Sequence, residues 1–71
     1  MKRNSVSSST IACIGYDSIN QILEIEFLKT GVYQYSRVNE STYLELLSSS
    51  SLGQFFNARI KNAGYKCIKI S

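Results

Sequence analysis

Histidine is absent from the sequence, and that absence excludes every Ser-His, Cys-His and histidine-bound metal arrangement. What remains for catalysis is a Ser-Lys pair or two carboxylates. Glu24 and Glu26 do share a strand face, but two acids on an alternating strand are the ordinary outer surface of a half-exposed sheet. The four glycines, Gly15, Gly31, Gly53 and Gly64, are scattered, so no phosphate-cradling loop is present. The chain reads as non-enzymatic, with no cofactor implied. Only two cysteines occur, Cys13 and Cys67, too few for a disulfide framework or a zinc set. Each lies on an apolar segment and is expected as a reduced core thiol. Proline is absent, and no repeat, linker or second domain is visible. Nor does any apolar run approach the roughly 20 residues of a membrane span. The run Ile11 to Ile14 is too short for a signal sequence and soon meets Asp17. A soluble, cytoplasmic protein with no membrane partner is the expectation.

Acid is missing over much of the chain. All five acidic residues lie between positions 17 and 45, where Lys29 and Arg37 are the only bases; outside that window stand Lys2, Arg3, Arg59, Lys61, Lys66 and Lys69. The net charge of +3 therefore hides an asymmetry, and basic flanks of this kind suit phosphates or an acidic partner.

The 71 residues, 44% of them hydrophobic, suffice for one small core, so residues 1–71 form one domain, with 1–8 a loose serine-rich lead. "IACIGY", from Ile11 to Tyr16, has strand composition, with Gly15 a bulge or close-approach point. Turn chemistry follows at Asp17, Ser18 and Asn20. "ILEIEF" then alternates strictly, with Leu23, Ile25 and Phe27 on one face and Ile22, Glu24 and Glu26 on the other.

In "GVYQYSRV" the alternation puts Tyr33, Tyr35 and Arg37 together, and the preceding turn decides which face they share. A three-residue loop Lys29-Thr30-Gly31, with Gly31 left-handed, pairs Phe27 with Tyr33 and puts the tyrosines with the apolar residues. A two- or four-residue loop reverses the parity and sets them beside Glu24 and Glu26. The first is chemically better, because a primed turn forces β-branched Thr30 to positive φ.

Asn39 is a good N-cap for a helix from Glu40 to Ser48, with Tyr43, Leu46 and Leu47 on one stripe and Leu44 alongside. Serines 48–51 form an interhelical turn, and Ser51 caps a second helix, "LGQFFNARIKN". Its stripe is Leu52, Phe56 and Ile60, and Asn62 to Gly64 stops it. Phe55 and Phe56, about 100° apart, do not both point into the core; Asn57 reads as a helix-to-loop hydrogen-bonding residue. "YKCIKI" alternates as a terminal strand. The fold class is α+β: an antiparallel three-stranded meander followed by two helices and a short C-terminal strand, β-β-β-α-α-β.

The succession "SSTIACIGYD", "LEIEF", "GVYQYSRV", "TYLELL" and "SLGQFFNARIK" resembles the KTSC domain, a small module found at the C-terminus of some lysyl-tRNA synthetases and as stand-alone bacterial proteins. The resemblance runs from Ser8 to Ile60 and centres on Tyr33-Gln34-Tyr35. Where the family often has proline before the first helix, this chain has Asn39. The resemblance implies association with RNA, tRNA or single-stranded, through its link to a synthetase.

The residues themselves suggest two kinds of partner. The nucleic-acid candidates are Arg37, Arg59, Lys61, Lys66 and Lys69, whose charges rarely go inside and which would hold phosphate without reading sequence. Tyr33 and Tyr35 join them as a base-stacking pair if exposed, and are core residues with hydroxyls at the rim if not. The alternative is a protein partner or a homo-oligomer, taken on a free sheet edge or through exposed aromatics.

Overall fold

The computed structural model describes residues 3–71. Its elements are β1 (Arg3–Ser5), β2 (Ile11–Asp17), β3 (Ile22–Phe27), β4 (Gly31–Tyr35), α1 (Glu40–Ser48), α2 (Leu52–Arg59) and β5 (Cys67–Lys69), with a 3-10 helix over Lys61–Ala63. The strands form one antiparallel sheet in the order β1-β2-β3-β4-β5. The α+β class stands, but the topology is corrected: four strands, not three, precede the helices, giving β-β-β-β-α-α-β.

The additional strand, Arg3–Ser5, falls in the lead that composition marks as loose; residues 1–2 of that lead lie outside the described residues. All three of its residues are exposed, so it carries no hydrophobic alternation to read. It is held instead by pairing, Arg3 opposite Gly15 and Ser5 opposite Cys13. The Arg3 side chain adds a second tie, with Nε 3.0 Å from Glu24 Oε2 and Nη1 3.4 Å from Glu26 Oε1.

In the β2–β3 turn Asp17 Oδ1 accepts from the Ile19 and Asn20 N–H groups at 3.0 and 3.2 Å, and Oδ2 from the Asn20 amide at 2.9 Å. These bonds, the Asn20 side chain's first, hold the Asp17 carboxyl below its ordinary pKa. The irregularity in β2 lies between Ile11 and Cys13, whereas Gly15 pairs regularly with Glu24.

The β3–β4 hairpin keeps the expected parity with a different register. Phe27 pairs with Gly31, Ile25 with Tyr33 and Leu23 with Tyr35, so the turn residues are Leu28, Lys29 and Thr30. A slip of two residues preserves the face, which is why the parity argument holds although the predicted Phe27–Tyr33 pairing does not. Gly31 has φ +107°, and a Cβ there would collide with the Ser71 carbonyl oxygen. The glycine thus admits both the hairpin and the close passage of the C-terminus.

Asn39 Oδ1 accepts from the Thr42 N–H at 3.0 Å and caps α1. The helix presents a narrower face than its stripe suggests. Leu46 is fully buried, Tyr43 stacks on Tyr16 with ring centroids 4.6 Å apart, and Leu44 and Leu47 are exposed. Ser51 caps α2 through the Gln54 N–H. That helix stops at Arg59, short of the predicted Asn62, and the chain turns through the 3-10 helix to Gly64 at φ +86°. Phe56 and Ile60 enter the core with Ile14, Leu23, Ile25 and Val38. Among the described residues no helix is long and apolar enough to cross a membrane.

Candidate functional site

Cross-strand pairing aligns Tyr33 with Ile25 and Tyr35 with Leu23 on the apolar face of the sheet. Tyr35 is 7% exposed and belongs to the core. Its ring meets Phe56 edge-on at 5.4 Å, Phe56 meets Phe27 at 5.2 Å, and Phe27 meets Tyr33 at 5.6 Å. This chain of T-shaped contacts is the favoured geometry for rings with negative faces and positive edges. Burial, assisted by a hydrogen bond with Cys67, pushes the Tyr35 hydroxyl well above its ordinary pKa. Tyr33 is only half buried, so the pair divides: Tyr35 is a structural ring, and Tyr33 reaches a surface.

That surface is the wall of a cleft of ≈ 660 Å³ between the β3–β4 turn, the segment before β2, and the α2–β5 connection. Phe27, Tyr33, Tyr35, Phe56 and Tyr65 contribute its aromatic lining. Polar groups come from Ser9, Thr10, Thr30 and the exposed Asn57. The charged residues of the lining are Lys29 and Lys61, and no carboxylate lines it. Asn57, predicted to bond helix to loop, is thus a cleft residue. Lys29 is absent from the sequence-derived candidates because it lies inside the acidic window, and no local pattern sets it beside Lys61.

The other cations are not gathered at this cleft. Arg59 Nη2 lies 3.6 Å from Glu45 Oε1, and its guanidinium sits 5.3 Å from the Phe55 ring centroid. This answers the Phe55–Phe56 question: Phe56 anchors the core, while Phe55 is half buried beneath Arg59. Lys66 is next to the end of β4, since its carbonyl accepts from the Ser36 N–H at 2.9 Å, which brings it close to Arg37. Arg37 is exposed at φ +63°. Lys69 lies opposite Tyr33 on β5. Arg37, Lys66 and Lys69 therefore follow the β4–β5 margin, with Lys61 just before it in the chain.

The sheet face away from the helices carries a polar row. Glu24 is 7% exposed and receives a hydrogen bond from the Gln34 amide at 2.8 Å, besides the Arg3 contact. It is not the solvated surface acid that alternation predicts; Arg3, from the unforeseen first strand, covers it. Cys13 is a half-buried free thiol opposite Glu26, and Cys67 an exposed one. Neither is the buried core cysteine expected, because the bulge in β2 and the edge position of β5 leave both at the surface. Among the described residues no three His, Cys, Asp or Glu side chains converge as a metal site.

Known proteins resemble this chain. An uncharacterized protein of Stutzerimonas stutzeri is 39% identical over 70 residues, covering 99% of both chains. A protein of Tsukamurella paurometabola is 38% identical over 56 residues, 79% of this chain and 84% of its own. The crystal structure of a KTSC domain protein from Yersinia pestis superposes with a TM-score of 0.95 at 44% identity, covering 99% of this chain and 97% of the other. With the KTSC domain also matching residues 7–65 directly, the chain belongs to the KTSC domain family.

Proposed function

We propose that this KTSC domain is a non-enzymatic, cytoplasmic RNA-binding module that holds phosphates along its β4–β5 margin. One observation carries the reading. Arg37, Lys66 and Lys69 on that margin are all exposed, as are Lys61 and Lys29 beside it, and among the described residues none of the five has a carboxylate within ion-pair distance, whereas Glu24, Glu26 and Glu45 are engaged by Arg3 and Arg59. A cationic margin of this kind attracts polyanions and releases counterions when they bind. Arg59, shared between Glu45 and Phe55, is a lesser contact than the other four candidates. The absence of histidine, together with the engagement of Glu24 and Glu26 by Arg3, supports a binding role over catalysis.

The test is an amide NMR titration with a mixed-sequence single-stranded RNA and with a tRNA, at low and at physiological salt. Shifts at Arg37, Lys61, Lys66 and Lys69 that fade with salt are expected, and Lys66→Ala should lower the salt slope by about one unit. An unchanged spectrum at low salt refutes the reading. A second reading, a protein partner or a second copy of the chain, draws on the exposed three-residue edge strand β5 and on Ile68 and Ile70, each about half exposed. An interface there would resist salt and show as a concentration-dependent sedimentation coefficient.

A further inference from the structure

The cleft differs from the cationic margin in kind. It is concave, walled by rings, and falls within the roughly 300–1,000 Å³ range of small-ligand sites. Its charge is of one sign, with Lys29 from the β3–β4 turn and Lys61 from the 3-10 helix, two elements far apart in sequence. Asn57 lines it with a primary amide that makes no side-chain hydrogen bond among the described residues. Such an amide offers both donor and acceptor to an incoming edge. An apolar plug would need neither the lysines nor the amide. A purely anionic ligand would gain nothing from Phe27, Tyr33 and Tyr65.

We infer that the cleft receives one unpaired nucleotide, its base against the Tyr33 and Tyr65 rings with Asn57 at the base edge, and its flanking phosphate on Lys29 and Lys61. Base–aromatic stacking and phosphate pairing are the two contacts by which single-stranded nucleic acid is commonly held. The inference rests on the RNA-binding reading and makes it specific: the margin supplies general affinity, and the cleft takes a base that is out of the helix. Duplex RNA, with its bases stacked, then binds the margin alone.

The cleft carries its own reporter, because Cys67 lines it while Cys13 stands on the other sheet face. Iodoacetamide alkylation of both thiols is followed by mass spectrometry with a single-stranded decamer RNA, with a duplex of the same sequence, and with an acidic phenylalanine-containing peptide of equal charge. RNA binding is recorded in parallel by fluorescence anisotropy. The inference predicts several-fold protection of Cys67 by the single strand, none by the duplex, and an unchanged Cys13 rate. Tyr33→Leu should weaken single-strand binding by about fivefold or more. Because Tyr33 also packs on Phe27, the exposed Lys29→Gln variant provides the fold-neutral test: it should lower the salt slope for the single strand by about one unit and leave that for the duplex unchanged. Single-strand binding with Cys67 unprotected overturns the cleft assignment and leaves the cationic margin intact. No binding of any RNA at low salt removes the margin reading and the cleft assignment with it. Protection by the peptide alone overturns the inference in favour of a protein ligand.

Discussion

Replacing Phe56 with leucine removes the centre of the aromatic chain while keeping an apolar side chain of comparable reach. Phe56 is 4% exposed and meets Phe27 and Tyr35 edge-on at 5.2 and 5.4 Å. Each such contact is worth about 0.5–1.5 kcal/mol beyond area burial, so losing both costs about 1–3 kcal/mol. A domain of this length has roughly 4–11 kcal/mol in total at typical stability per residue. Phe56→Leu should therefore fold with a melting temperature lowered by roughly 5–20 °C, whereas Phe56→Ala, at about 3–5 kcal/mol, approaches unfolding. Urea unfolding followed by circular dichroism measures the change. Phe55→Leu is the control, keeping an apolar side chain against the core while losing the half-exposed cation–π contact with Arg59, about 0.5–1 kcal/mol. A Phe27→Leu/Phe56→Leu cycle isolates one ring pair. A loss below about 0.5 kcal/mol in Phe56→Leu with an unchanged urea slope would refute the assignment of Phe56 as the hub.

Tyr35 predicts an alkaline weakness: its neutral form is favoured in the fold, so its stabilising effect is intact below the unfolded value near pH 10 and is lost as pH rises toward the folded pKa, by up to about 1.4 kcal/mol per pH unit. Tyr35→Phe should flatten the stability profile above pH 10, and an equally steep profile in the variant would count against it. Gly31→Ala should cost about 1–3 kcal/mol through its φ of +107° and the collision with Ser71. Faster hydrogen exchange at Val32 and Ile70, whose N–H groups bond to Ser71 O and Val32 O, is the readout; unchanged exchange would show that the C-terminus does not depend on the glycine. Arg3→Ala leaves the nearly buried Glu24 carboxylate with Gln34 alone and should cost about 1–2 kcal/mol, less than a fully buried pair because Arg3 is partly exposed. Adding Glu24→Gln should recover part of that loss, and equal stability of wild type and Arg3→Ala would mean that β1 is not held by this pair.

What could be read from the sequence was whatever a local pattern encodes. The alternation in Leu23, Ile25 and Phe27, with a glycine after Thr30, favoured the covered face for Tyr33 and Tyr35, and parity survives the register shift of two. Asn39 and Ser51 announced the helix starts through their side chains. Other features depend on partners distant in sequence. Strand β1 exists through Gly15 and Glu24; the alternation of β5 showed a strand but not its pairing with β4. The cleft brings Lys29 beside Lys61 and Tyr65 through packing of the hairpin turn against the α2–β5 connection. No spacing along the chain specifies that meeting, and so it was the candidate site, more than the fold, that the sequence left unread.

Every strand in this sheet lies beside its neighbour in sequence, which has a kinetic consequence. The β2–β3–β4 meander closes through short turns, so most of the sheet can assemble at small loop-closure cost. The β4–β5 pairing is different, since both helices intervene before Cys67 reaches Tyr35. Docking of β5 is then the pairing with the largest loop to close, and it completes the wall that includes Cys67. Opening that wall means releasing residues 66–71 together, because the Lys66 carbonyl is tied to Ser36 and Ile70 and Ser71 to Val32 as well as through the strand itself, while the meander stays folded, a local opening of the kind on which binding sites draw.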